Sequence, residues 1–228
     1  RGAVMASGQL CYSIERVYVQ AAVHEEFVKR LVAAAQALDI NYPDIHQGHI
    51  GPLIFAQQAD VIVDHIADAR AKGARVLTGG EIEQHGGGLW VRATVITGVD
   101  HSMRVMTDET FGPLVPVMPY NDDEQAIALA NDTQFGLSAA VLAGSEARAA
   151  EIGRRLNAGA VSLMDTALTG AILRDAEKTS FGCSGLGGSR MGAASIARFF
   201  RKQTLITNHG EVQSMEDLGE AQAPQVAY

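Results

Sequence analysis

The sequence runs to 228 residues, 47% of them hydrophobic, with a formal net charge of −8, and on the general scale of ~100–200 residues per domain it can bury one sizeable core. The acidic balance and the lack of any Lys/Arg cluster argue against a nucleic-acid partner, which would need concentrated positive charge. No apolar stretch approaches the ~20 residues that cross a bilayer and the first residues lack a signal-peptide pattern, so no membrane partner and a cytoplasmic location are expected.

The segment from Arg1 to Gln9 is rich in small residues and reaches Cys11 with no strand before it, so the chain reads as a piece of something longer. Arg16 to Gln20 is β-branched and aromatic and predicts a strand. Phe27, Leu31, Ala34 and Leu38 then recur at helical spacing. Phe55, Ala59, Ile62, Ile66 and Ala69 form a second helical stripe that Gly73 stops, and Arg75 to Leu77 predicts a short strand before Gly79 and Gly80. Leu114 to Met118 predicts another strand. Asn121 with Glu124 three residues on has the spacing of a capping box for a helix carrying Ala126, Ile127 and Leu129. Leu137 to Leu142 is the next expected strand, Ser145 caps a helix through Ile152 and Leu156, and Ala160 to Met164 predicts a strand buried on both faces. A helix near Ala193 to Lys202, an extended Thr204 to Thr207 and an acidic tail complete the chain. Strands alternating with helices imply an α/β fold with a largely parallel sheet.

Two cysteines, Cys11 and Cys183, fit no zinc spacing and read as free thiols, with a single disulfide left open. Taken alone, Cys11 in Gly8-Gln9-Leu10-Cys11 reads sooner as a small, inert buried hydrophobe than as a nucleophile. The glycines from Gly185 to Gly192 suggest a dinucleotide fingerprint, but they follow a loop instead of a strand, and a turn before the last helix suits them better. His46 and His49 sit in a loop with no third ligand nearby, so no metal site is expected.

Five blocks in order carry a resemblance: Gly8-Gln9-Leu10-Cys11 with Arg16-Val-Tyr-Val, Gly51-Pro52-Leu53, Glu109-Thr110-Phe111-Gly112-Pro113, Ala130-Asn131-Asp132-Thr133 running into Phe135-Gly136-Leu137, and Ser184-Gly185-Leu186-Gly187 with Arg190 and Gly192. Together they resemble the aldehyde dehydrogenase superfamily over about Gly2 to Asn208. The resemblance implies a three-layer α/β catalytic domain over 1–202, a C-terminal oligomerisation strand at 203–210 and an acidic tail at 211–228. It implies a thiolate at Cys11 that attacks an aldehyde, a thiohemiacetal that gives up hydride to NAD or NADP, and a thioester hydrolysed by water. The backbone N–H of Cys11 would be one oxyanion donor; the family's second donor and its general base are expected upstream of Arg1, as is the nucleotide-binding domain. Glu109 would hold the nicotinamide ribose and Phe111 would pack near the nicotinamide, whereas by composition alone they read as a loop carboxylate and a core aromatic.

The chain departs from the family pattern at Ala6, at Leu163-Met164-Asp165 and at Ser180-Phe181-Gly182-Cys183. Leu10, Tyr12 and Phe181 are the expected lining of a substrate pocket and suggest an apolar or aromatic aldehyde. A homo-oligomer is expected. Two other functions fit the same residues: a non-catalytic assembly module associating through the C-terminal strand, and a thiol-dependent esterase needing no cofactor.

Overall fold

A computed structural model describes residues 1–166, 178–185, 196, 200 and 203–205. The chain divides into two units, Arg1–Ser195 and Ile196–Tyr228, and all the elements below belong to the first. A four-stranded sheet at its centre has the order β1-β6-β5-β2, built from β1 (Val17–Gln20), β2 (Arg75–Thr78), β5 (Thr94–Thr97) and β6 (Leu114–Tyr120). The pairs β1–β6 and β5–β6 are parallel, and β2 runs antiparallel to β5 with a register shift between Val76 and Thr78.

Successive strand residues point to opposite faces, and the core follows that period. Ile96 and Leu114 join Ile62, Ile66, Ala69, Met103 and Met106 on one face, while their neighbours Val95 and Val115 join Val19, Ala35 and Val117 on the other. The first face is covered by α2 (Gln58–Ala71) and the short α3 (Arg104–Thr107), the second by α1 (Ala21–Gln36), giving three layers. Each Ile or Val so buried is worth about 1.5–3 kcal/mol. Strand β6 carries Pro116 opposite Ile96 and Pro119 opposite Val19; each proline removes a ladder donor, so β6 depends on its two packed faces.

Several local expectations shift. On α1 the inward residues are Val28, Leu31, Val32 and Ala35, while Phe27 and Ala34 are exposed, because the helix turns a stripe one residue on toward the sheet. Phe55 precedes α2 and is exposed, whereas Ala59, Ile62, Ile66 and Ala69 are buried as expected. Gly73, at φ 97°, ends the segment. Between β2 and β6 lies a hairpin, β3 (Ile82–His85) with β4 (Gly88–Val91), followed by β5; none of the three has a sequence-based counterpart. The cap of α4 (Asp123–Asn131) is Asp122, whose carboxylate accepts from Gln125 N at 2.9 Å, one residue beyond the Asn121 expectation. Strands β7 (Phe135–Gly136), β8 (Ser138–Val141) and β9 (Ala160–Leu163) follow, β8 and β9 pairing in parallel across α5 (Glu146–Gly153), which Ser145 caps through Arg148 N. Helix α5 stops three residues before Leu156, with Gly153 packed on Val161 and Leu163. Strand β9 is half-buried, with Ser162 its fully buried residue, so it is not enclosed on both faces.

In the second unit the described residues Ile196, Phe200 and 203–205 are exposed. The expected helix from Ala193 to Lys202 and the strand at 203–210 lie largely outside the described residues, and the tail at 211–228 wholly so. Among the described residues no helix is long and apolar enough to cross a membrane.

Candidate active site

The segment leading to Cys11 takes an unusual path. Ala6, Ser7 and Gly8 have φ of 52°, 59° and 70°, a left-handed run that costs a non-glycine residue of order 1–3 kcal/mol and persists only where the surroundings enforce it. Ser7 Oγ accepts from Gly51 N at 2.8 Å and donates to Gly51 O at 3.1 Å. Gln9 accepts from Ile54 N at 2.8 Å through Oε1 and donates to Pro52 O at 3.0 Å through Nε2. Gly8 lies so close to the Gly112-Pro113 backbone that a Cβ would stand 2.1 Å from Gly112 O. Glycine is required there for space as well as for φ. Beyond this clamp, Ser13 N donates to Leu10 O at 2.9 Å, closing a turn with Cys11 and Tyr12 at its centre. The Cys11 thiol is free and exposed at the tip of this turn, and Leu10 and Tyr12 beside it are half-buried.

The segment from Glu109 to Pro113 is fixed from three sides. The Glu15 carboxylate accepts from Thr110 N at 2.9 Å and from Phe111 N at 2.8 Å. His65 Nδ1 pairs with Thr110 Oγ1 at 3.0 Å, and Gln58 Nε2 donates to Thr110 O. Phe111 is held at φ 53°, so its ring is set by a backbone that these bonds constrain. Glu109 is an exposed carboxylate and Phe111 is half-exposed. Burial pushes the Glu15 carboxyl above the usual range against the opposing pull of the two N–H donors, and the nearby Glu109 charge adds to the rise. Burial likewise lowers the His65 imidazole, helped by Arg104 and opposed by Asp108, Asp64 and Asp68.

The last two sequence blocks also meet. Strand β7 pairs antiparallel with β10 (Phe181–Gly182), Gly136 N donates to Ser184 Oγ at 3.0 Å, and Cys183 N donates to Gln134 O at 2.8 Å. Arg16 reaches the end of α4 and donates to Ala130 O and Asp132 O, which ties β1 to the Ala130-Asn131-Asp132-Thr133 block. Lys178, just before β10, donates to Leu137 O at 3.4 Å. Burial lowers its ammonium from the ordinary value, and the Cys11 side chain lies near enough to oppose that shift.

The sequence therefore named Cys11, Glu109 and Phe111 in segments that the fold joins through Gly8 and Glu15. Phe181 sits in β10, 39% exposed, its strand fixed to β7 and not bonded to the Cys11 turn. Cys183 is free and exposed as well, as the free-thiol reading expects. His46 and His49 form no metal cluster among the described residues; His49 Nδ1 instead accepts from Asp39 N at 3.2 Å. Leu186, Gly187, Arg190 and Gly192 lie outside the described residues, as does most of the loop from Thr166 to Ser180. Glu15, Gln58 and His65 were not singled out from sequence. Glu15 offered a faint signal, a carboxylate four residues after Cys11 and next to Arg16.

A model of the aldehyde dehydrogenase family matches residues 1–205. Among curated relatives, a protein of Mycobacterium ulcerans named as a succinate-semialdehyde dehydrogenase [NADP(+)] is 36% identical over 88% of this chain and 39% of its own length. A 2-hydroxymuconic semialdehyde dehydrogenase of a Pseudomonas species is 37% identical over 68% of this chain and 32% of its own. Among solved structures, the Anabaena variabilis protein described as aldehyde dehydrogenase PutA is 53% identical with a TM-score of 0.87, over 94% of this chain and 46% of that one. Lactaldehyde dehydrogenase from Escherichia coli gives 30% and 0.79, over 89% and 42%. The chain thus spans less than half the length of these relatives.

Proposed function

The chain belongs to the aldehyde dehydrogenase family, and on that premise we propose that it is the catalytic portion of an NAD(P)-dependent aldehyde dehydrogenase with Cys11 as nucleophile. The observation that carries the reading is the exposed Cys11 thiol on a turn whose preceding loop is packed, backbone to backbone, on the segment bearing Glu109 and Phe111. Sγ of Cys11, as thiolate, adds to the aldehyde carbon and forms a thiohemiacetal. The carbonyl oxygen becomes an oxyanion, for which the Cys11 backbone N–H, in a turn closed by Ser13, serves as one donor. NAD or NADP, when bound, supplies the hydride acceptor. Loss of hydride leaves a thioester on Cys11, and attack by water breaks the C–S bond to release the carboxylate and regenerate the thiol.

The residues fit such a cofactor. Glu109 is exposed and its two oxygens can accept from neighbouring ribose hydroxyls, while the half-exposed Phe111 ring has its backbone pinned beside it. Both cofactors occur among relatives, NADP in the name of the Mycobacterium ulcerans protein and NAD in the structure of an indole-3-acetaldehyde dehydrogenase. Leu10 and Tyr12 flank the nucleophile and are assigned to the aldehyde pocket together with Phe181. The reading also carries a cytoplasmic homo-oligomer associating through 203–210; sedimentation of a variant ending at Lys202 reads that part, a shift to monomer supporting it.

The decisive test replaces Cys11 with Ser in the protein as its cell makes it and follows NAD(P)H formation with aliphatic, aromatic and carboxylate-bearing aldehydes. The expected loss is at least about a thousandfold, because a hydroxyl far from ionisation replaces a thiolate. Undiminished turnover by the variant would remove Cys11 from the chemistry.

A further inference from the structure

The Glu15 carboxylate does two things at once: it sits four residues after the nucleophile, and both of its oxygens are engaged by the amides of Thr110 and Phe111, nearly a hundred residues away. We propose that Glu15 is a positioning residue that fixes the Glu109–Phe111 segment in register with the Cys11 turn, so that the nucleotide is bound at a set distance from the thiol. This rests on the reading of the site given above and adds a determinant of nucleotide affinity and alignment that does not itself touch substrate or cofactor.

Three observations converge. Phe111 is a bulky non-glycine residue at φ 53°, a conformation that does not persist without outside restraint, and the bond from its own N–H to Glu15 Oε1 at 2.8 Å supplies one. The partner amide, Thr110 N, goes to the other oxygen of the same carboxylate at 2.9 Å, so the contact resists rotation as well as separation. On the far side of Cys11, Gly8 abuts Gly112 and Pro113. The nucleophile's turn is therefore joined to the cofactor segment both before and after the thiol.

Glu15 is half-buried, with both carboxylate oxygens engaged by backbone amides. Burial raises its proton affinity; the sign is that such a group favours folding at pH below its unfolded value and withdraws that contribution as the pH rises through the folded one. A Gln at this position keeps one acceptor oxygen for one of the two amides and turns an NH2 donor toward the other, so the substitution removes one of the two bonds.

The test uses Glu15→Gln and Glu15→Ala in the protein as its cell makes it, with amide hydrogen exchange at Thr110 and Phe111, direct titration with NAD+ and NADP+, alkylation of Cys11, and thermal unfolding. The expected result for Glu15→Gln is a modestly lowered unfolding midpoint, one of the two amides newly exchanging, and, at a temperature well below that midpoint, a Kd for the nucleotide raised about tenfold. For Glu15→Ala both amides exchange and the nucleotide Kd rises further, while Cys11 alkylation changes less than threefold in either variant. An unchanged nucleotide Kd in Glu15→Ala, with wild type binding normally, would overturn the positioning role alone. Absence of nucleotide binding in the wild type would overturn the reading of the site on which it rests, whatever the amides do.

Discussion

Gly8 and His65 show how single residues set the geometry around Cys11. Replacing Gly8 with Ala would put a methyl group 2.1 Å from Gly112 O at a φ of 70°, so the loop or the Gly112-Pro113 backbone must move. Overpacking of this kind costs about 1–3 kcal/mol, and the displacement should lower kcat/KM for aldehyde oxidation at least tenfold; kinetics and urea unfolding on the same variant check both. His65 is 1% exposed, and burial lowers its imidazole below the ordinary histidine range. A depressed histidine favours the fold while neutral, so its contribution is present above about pH 6.5 and is lost as the pH falls through the lower folded value. Urea midpoints should therefore fall below about pH 6.5, and His65→Gln should flatten that part of the profile; an unaltered slope would mean that another group titrates. At this scale Cys11, Glu109 and Phe111 could be singled out because each stands in a local motif. Glu15, Gln58 and His65 could not, since what they hold is backbone or hydroxyl of Thr110 and Phe111, and nothing in their own neighbourhood in sequence marks so distant a partner.

The elements divide along similar lines. Helix α2 was legible because Ala59, Ile62, Ile66 and Ala69 recur at helical spacing and all four are buried; Ile66→Ala should cost about 2–5 kcal/mol in chemical denaturation for the cavity it leaves. The cap of α4 lay one residue from its expected place, because adjacent Asn121 and Asp122 can each offer an oxygen and Asp122 takes the Gln125 amide. Asp122→Ala should cost about 0.5–2 kcal/mol, whereas Asn121→Ala should cost a few tenths; reversal of that order would restore the first assignment. The hairpin of β3 and β4 was illegible for a physical reason. Its strands are four residues each, joined at Gly86 and Gly87, and Glu83, Gln84 and His85 offer no apolar alternation to set a period of two. What anchors it is tertiary: Trp90 donates from Nε1 to Asn41 Oδ1 at 3.0 Å and packs edge-on to Tyr42 and His85.

Over the whole first unit, helices cover both faces of a parallel-dominated sheet, and the strand alternation of Val95 with Ile96 and of Leu114 with Val115 divides the core between them. The α/β class could be read from sequence because strands and helices alternate. The antiparallel β2–β5 edge could not: Thr94-Val95-Ile96-Thr97 is β-branched throughout and carries a strand signal, but nothing local to it gives the direction of its pairing with β2. The fold carries Cys11, Glu109 and Phe111 on segments joined through Gly8 and Glu15, and the proposed function rests on that constellation instead of on the scaffold. The most direct measurement is acid-quench mass spectrometry of the peptide bearing Cys11, taken from the protein as its cell makes it during turnover with an aldehyde it oxidises and NAD(P)+. The expected result is an acyl adduct on Cys11 that requires both aldehyde and oxidised nucleotide and is absent from Cys11→Ser; an adduct on Cys183, or NAD(P)H production by the Ser variant at the wild-type rate, would contradict it.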